Sequence, residues 1–236
     1  MSKKWLKKQK NTSDRSITLT KPNSYAAEEF KTLRTNIQFT MVDKSYKTIA
    51  FTSSLPGEGK TTVVANTAIA FANKKNRILL VDADMRNPRL HRFFNLSNHT
   101  GLSTLLKDHD ASLKRLMHST LDGDLCVLTS GVLPPNPAEL IDSQRMTDLV
   151  EEFKNEFDMV LFDMPPVLSV TDAQIMATKT DGTVFVIRNG AAEEQQLFQA
   201  KNLLEQVEAN VIGAVFNDKE RAKQSNYGYY SRTSEE

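Results

Sequence analysis

Cysteine is nearly absent from the 236 residues: the single one, Cys126, excludes an internal disulfide and a cysteine zinc site. Nine glycines and eight prolines are too few for a low-complexity chain, and 39% hydrophobic residues make a buried core feasible. An excess of one charge is missing too. Thirty Lys+Arg against 29 Asp+Glu leave a net of +1, which argues against a strongly basic nucleic-acid binder or an acidic solvating chain. No apolar run approaches the roughly 18 residues needed to span a bilayer. The basic start is not followed by the apolar stretch of a signal peptide. The expectation is a soluble cytoplasmic chain with one large domain and no nucleic-acid partner.

Three regions differ in texture. Residues 1–20 are polar and aperiodic, with five lysines among the first ten, and read as a flexible basic segment that could touch an anionic surface. Residues 21–217 carry the pattern of a single folded domain. It opens with Ala27, Phe30, Leu33, Ile37 and Met41, the stripe of an amphipathic helix over Ser24–Val42. Short apolar runs follow at Thr48–Thr52, Ile78–Val81, Leu125–Thr129, Met159–Phe162, Val184–Ile187 and Val211–Phe216. Between them lie helical patterns at Thr61–Asn73, Ala138–Asn155, Asp172–Lys179 and Glu193–Glu208. Short continuous strands alternating with helices predict an α/β fold, a mostly parallel twisted sheet with helices on both faces. Residues 218–236 read as a flexible polar tail.

The segment Ser54-Leu55-Pro56-Gly57-Glu58-Gly59-Lys60-Thr61-Thr62 leaves a predicted strand and opens a predicted helix, the setting of a phosphate-binding loop. Gly57 and Gly59 let backbone amides turn toward β- and γ-phosphates. Lys60 would neutralise those oxygens, Thr61 is placed to ligand Mg²⁺, and Thr62 can reach the α-phosphate beside the helix N-terminus. Ser54 stands where the strict pattern has glycine. The expected nucleotide-binding set is Pro56 to Thr62. Resemblance to other P-loop proteins, which often contact the base at the end of the last strand, adds Asn217. An Asn in an ordinary turn is the alternative there.

Two later strands end in acids. Ile78–Val81 runs into Asp82 and Asp84, which share a face, and Met159–Phe162 runs into Asp163. In a parallel sheet these ends lie on the edge that carries the phosphate loop. Carboxylates beside ATP phosphates suit Mg²⁺, a hard ion held by few protein oxygens and several waters. Thr61, Asp82, Asp84 and Asp163 are therefore the expected metal ligands. Asp82 is also the candidate base for an incoming hydroxyl, so the catalytic set is Lys60, Asp82 and Asp84. A carboxylate that merely caps the following turn is the simpler alternative, and fits Asp84 more readily than Asp82.

Together these residues resemble the bacterial tyrosine kinases of capsule and exopolysaccharide synthesis, over most of the chain from Tyr25 to Tyr230. Pro56 to Thr62 is similar to that family's Walker A, Ile78 to Arg86 to its Walker A′ with Asp-x-Asp-x-Arg, and Met159 to Pro166 to its Walker B. Pro134-Pro135-Asn136-Pro137 resembles a further stretch. The resemblance implies a P-loop NTPase fold like that of the partitioning ATPases, ATP and Mg²⁺ as cofactors, and phosphorylation of protein tyrosine. It also implies autophosphorylation at Tyr227, Tyr229 and Tyr230, and activation by the cytoplasmic end of a separate membrane protein that recruits the chain to the membrane. The family's Glu-x-x-Arg-x-x-Arg pattern, which joins subunits into a ring, maps onto Glu28, Lys31 and Arg34; lysine keeps the middle charge but loses the bidentate fork.

An even spread would put about 0.2 tyrosines in the last ten residues, where three of the five are found. Phosphate on each adds about −1.5 to −2 charges, enough to loosen a subunit assembly by repulsion. The competing readings are a partitioning or septum-positioning switch ATPase, whose extra loop lysine is here Leu55, a small-molecule ligase, and a nucleotide-dependent scaffold. His91, His99, His109 and His118 lack metal-ligand spacing and read as surface residues, and Cys126 as a buried strand thiol. Arg86, Arg89 and Arg92 recur every third residue, either facing an acidic partner or forming a solvated face.

Overall fold

The computed structural model describes residues 16–41, 44, 46–72, 76–121 and 124–217. Seven strands form one sheet: β1 (Thr48–Ser53), β2 (Ile78–Asp82), β3 (His118–Thr120), β4 (Leu125–Leu128), β5 (Met159–Asp163), β6 (Gly182–Ile187) and β7 (Val211–Phe216). Their order is β3-β4-β2-β5-β1-β6-β7. Every pairing is parallel except β3 with β4.

Five of the six apolar runs are strands covered on both faces, whereas β7 is exposed or half-buried along its length. In β2, Leu79 and Val81 join one core while Ile78 and Leu80 join the other. In β5, Val160 and Phe162 face the first core, and Met159 and Leu161 the second. Period-two alternation thus divides each of these two runs between two cores. Burying one of these side chains contributes about 1.5–3 kcal/mol.

Ten helices lie among the described residues. They are α1 (Ile17–Thr20), α2 (Tyr25–Thr40), α3 (Lys60–Ala72), α4 (Leu90–Phe93), α5 (Leu102–Lys107), α6 (Leu113–Leu116), α7 (Pro137–Asp142), α8 (Gln144–Glu156), α9 (Asp172–Lys179) and α10 (Glu194–Gln206). Helix α3 is buried from Val63 to Ala72, sandwiched between the sheet and α2. Helix α2 starts where Ser24 accepts from the Ala27 amide at 3.2 Å, an N-cap that satisfies one orphan donor.

The structure differs from the sequence expectation in four places. Residues 16–20 belong to the folded domain: Thr18 is buried, and its amide and hydroxyl both donate to Asn66 Oδ1, at 3.1 and 3.0 Å. The single helix expected over Ala138–Asn155 is two, α7 and α8. Ser143 between them is extended and uses its hydroxyl to accept from the Met146 amide at 3.2 Å. Strand β3 and helices α4 to α6 had no signal, being three to six residues long and too short for periodicity to register. Finally, His91 and His118 are half-buried, while His99 and His109 are exposed. Burial holds the His91 imidazole below its ordinary pKa, and its Nδ1 is buried without a partner.

Cys126 is buried in β4, and burial pushes its thiol pKa up. No described helix is long and apolar enough to cross a membrane. Tyr227, Tyr229 and Tyr230 lie outside the described residues, as do the basic residues of 1–15.

Candidate active site

Strands β2, β5 and β1 are neighbours, so their carboxyl ends meet. Register pairs Asp82 with Asp163, and Phe51 with Asp163. The exit of β1 is stitched to the segment after β5: Met164 N donates to Phe51 O at 3.0 Å, Val167 N to Ser53 O at 2.8 Å, and Thr52 Oγ1 to Pro165 O at 2.7 Å.

The phosphate loop leaves β1 and enters α3. Gly57 and Gly59 hold φ of +86° and +90°, values that L side chains rarely adopt. A Cβ on Gly59 would also fall 2.0 Å from Asn217 Nδ2. Glu58 turns its side chain into the protein. Its side chain is buried beneath the loop: Oε1 accepts from Ser54 Oγ at 2.7 Å and Leu55 N at 2.6 Å, and Oε2 from Arg188 N at 3.0 Å. The carboxylate is therefore an internal brace and cannot itself face a nucleotide. Ser54, where the strict pattern has glycine, supplies one of its donors. Asn217 joins the same brace, donating from Nδ2 to Glu58 O at 2.8 Å while its own amide bonds Ile187 O at 2.7 Å.

Lys60 lies between carboxylates. Its Nζ is 3.0 Å from Asp84 Oδ2 and 3.9 Å from Asp163 Oδ1. Burial alone would lower the Lys60 pKa, but Asp163 and Asp84 outweigh it and hold the ammonium above its usual range. Asp84 Oδ1 accepts from Asn87 N at 3.0 Å, and Asp82 Oδ2 from Arg89 N and Leu90 N at 3.0 and 2.9 Å. Both acids therefore hold the following backbone, Asp82 at the head of α4 no less than Asp84. Capping and site chemistry coexist because each carboxylate has a second oxygen.

That second oxygen is the notable feature of Asp82: Oδ1 is buried and has no hydrogen-bond partner. Neither oxygen of Asp163 has a donor in bonding geometry. The Thr61 hydroxyl is near enough to favour the ionised form of Asp163. Burial raises the Asp163 pKa to about 6, against the pull of Lys60 and Thr61. Asp82 is pushed well up by burial and then by Asp163, against its bond from Leu90. Among the described residues no three His, Cys, Asp or Glu side chains converge as a ready-made metal cage. The donors present are unpartnered hard oxygens at a phosphate loop. They fit Mg²⁺, which takes most of its ligands from phosphate and water.

The remaining expected residues sit elsewhere. Glu28 and Lys31 pair with each other on α2 at 2.5 Å. Arg34 turns inward, Nη1 donating to Ala70 O at 3.0 Å near the end of α3. Arg86 makes a two-pronged bond to Asp172. Sequence reasoning missed Asp172 and Arg188. The only signals were that one opens a helix and the other ends an apolar run.

An AAA domain profile matches residues 46–212, the span from β1 into β7. The tyrosine-protein kinase YwqD of Bacillus subtilis is 44% identical over 91% of this chain and 90% of its own length. The chain belongs to the bacterial tyrosine kinases. Among solved structures, the chimerical protein CapA2B2 superposes with a TM-score of 0.82 at 38% identity, covering 86% of this chain and 89% of that one. The kinase domain of the Escherichia coli tyrosine kinase ETK gives a TM-score of 0.82 at 30% identity, over 97% of this chain and 92% of that domain. The expected P-loop fold, with its mostly parallel sheet, is the fold of these kinase domains.

Proposed function

We propose that this bacterial tyrosine kinase moves the γ-phosphate of ATP to protein tyrosine, with Asp82 as the base. The observation that carries this reading is the free Oδ1 of Asp82, buried beside Lys60, Asp84 and Asp163 at the mouth of a braced phosphate loop. Amides of Gly57, Gly59 and Lys60 cradle the β- and γ-phosphates. Lys60 exchanges its Asp84 contact for a phosphate oxygen, and Thr62 meets the α-phosphate. Mg²⁺ bound by Thr61 with Asp84 or Asp163 would neutralise charge growing on the phosphate oxygens. The acceptor hydroxyl passes its proton to Asp82 Oδ1, the lone pair that the α4 cap leaves unused. The upward direction suits that task, because a carboxylate of raised pKa is a stronger base than one of ordinary acidity. Asn217 spends its Nδ2 on the loop, which leaves its Oδ1 to accept from the amino group of adenine.

The acceptors in this reading are Tyr227, Tyr229 and Tyr230 of a neighbouring subunit, then tyrosines of other proteins. The surface of α2 around Glu28 and Lys31 joins subunits into a ring. Arg34 contributes only if it leaves Ala70. A membrane protein of the polysaccharide machinery activates the chain from its cytoplasmic end and draws it to the inner face of the membrane. The pathway served is capsule or exopolysaccharide synthesis and export.

Mass spectrometry of the peptide containing Tyr227, Tyr229 and Tyr230, after incubation with ATP and Mg²⁺, tests the reading. It is run with and without the cytoplasmic end of the activator, and with Lys60→Met as control. Phosphate on these tyrosines, absent in the variant, is the expected result. An unmodified tail with ATP still hydrolysed favours a switch ATPase or scaffold.

A further inference from the structure

Asp172 opens α9 and is fully buried. Both of its oxygens are spent on Arg86: Nε lies 3.0 Å from Oδ2 and Nη2 3.0 Å from Oδ1. The fork joins residues 86 positions apart. A carboxylate in the first turn of a helix ordinarily serves that helix's own amides. Here it serves a side chain of the acidic turn after β2.

The position of Arg86 explains what the pair can do. It follows Asp84 by two residues, and Asp84 is the carboxylate that holds Lys60 through Oδ2 and the Asn87 amide through Oδ1. Arg86 is about 40% exposed at its side chain, so it has room to swing, and the Asp84 charge already acts on it. A guanidinium released here would be a strong rival for Asp84. It is always charged, and its planar fork matches a carboxylate at two points. We propose that Asp172 is a positioning residue that holds Arg86 away from Asp84, keeping that carboxylate open to Lys60 and to a divalent cation at the phosphate loop. This rests on the reading of Asp84 as part of a Mg²⁺ site.

The test is the Mg²⁺ dependence of ADP binding to the full chain, followed by titration calorimetry, with thermal unfolding recorded alongside. In Asp172→Asn the Mg²⁺ concentration for half-maximal effect rises about tenfold, the size expected when a group that orients a metal ligand is lost. Binding of ADP without Mg²⁺ stays within about twofold of the parent, because the phosphate loop is untouched. Removing the rival as well, in Arg86→Gln/Asp172→Asn, restores the Mg²⁺ response to within about threefold of the parent. A purely structural pair gives the opposite pattern: the double variant is as impaired as the single, or both lose thermal stability with no shift in Mg²⁺ response. Either result overturns the proposal. If Asp172→Asn does not fold, Asp172→Glu, which keeps the buried charge but displaces the fork, takes its place with the same criteria. A parent protein whose ADP binding ignores Mg²⁺ overturns the underlying Mg²⁺ reading and this proposal together. A Mg²⁺-dependent parent with an unchanged Asp172→Asn response overturns this proposal alone.

Discussion

The two ends of the sheet treat carboxylates in opposite ways. At the end where the strands begin, Asp181 Oδ2 accepts from Lys47 N at 2.8 Å, Thr48 N at 2.9 Å and the Thr48 hydroxyl at 2.8 Å. Its Oδ1 lies 3.3 Å from Lys154 Nζ. Burial alone would raise the Asp181 pKa, but these donors outweigh it and hold it below the ordinary carboxylate range. At the end where the strands finish, Asp82 and Asp163 are buried more deeply, with unpartnered oxygens and raised pKa values. A satisfied carboxylate staples β1, β6 and α8 together. An unsatisfied one costs stability and is retained where charge and proton transfer need it. The contrast sets a structural acid apart from the two proposed to serve phosphoryl transfer, without reference to any motif.

The sharpest test removes the cation at the functional end. Lys60→Met lowers phosphotyrosine formation by about 10³-fold or more, read by mass spectrometry. Asp82→Asn comes next, with phosphotransfer down about 10²-fold and nucleotide affinity little altered in calorimetry. Full phosphotransfer in that variant would remove Asp82 from the role of base.

Asp181→Ala strikes the opposite end and reverses the signature. Unfolding free energy falls by about 2–4 kcal/mol in urea titration, as three hydrogen bonds and an ion pair are lost together. Activity per folded molecule is preserved. The Asp181 contribution is present above its unfolded pKa and is lost only as pH falls through the lower folded value.

Asp163→Asn should stabilise the nucleotide-free chain by about 1–3 kcal/mol while weakening the Mg²⁺-dependent reaction. The sign follows from linkage. With a folded pKa of about 6 against 3.8 in the reference state, native Asp163 holds its proton longer, and the wild type loses stability as pH rises between the two. The variant's advantage therefore grows from about pH 4 to pH 6 and then levels off. The smallest effect is Ser143→Ala: losing the cap between α7 and α8 costs about 1 kcal/mol and leaves activity intact. A loss of activity there would mean that the α7–α8 break also shapes the site.

Contiguous features were legible in the sequence. The apolar runs gave six of the seven strands to within two residues: five are covered on both faces and so must be apolar throughout, while β7 is apolar yet largely exposed. The phosphate loop was legible because its turn, cation and helix start are neighbours along the chain. What did not show were elements too short for a period, namely β3 and α4 to α6, and the break at Ser143, where a single hydroxyl outweighs an otherwise helical pattern. Glu58 shows the limit within a legible motif. Its position in the loop was plain, yet whether its carboxylate faces a ligand or the protein depended on Ser54 and on the amide of Arg188, 130 residues away.

By itself, then, the sequence determined the local chemistry: a strand that ends in a phosphate loop, two strands that end in acids, and apolar runs of strand length alternating with helices. Only the tertiary structure decided which strand ends meet. The pairing of Asp82 with Asp163, the fork from Arg86 to Asp172 and the turn of Arg34 onto Ala70 each join residues dozens of positions apart. Periodicity records which face a side chain occupies. It does not record which strand lies alongside, since that depends on packing summed over the whole sheet.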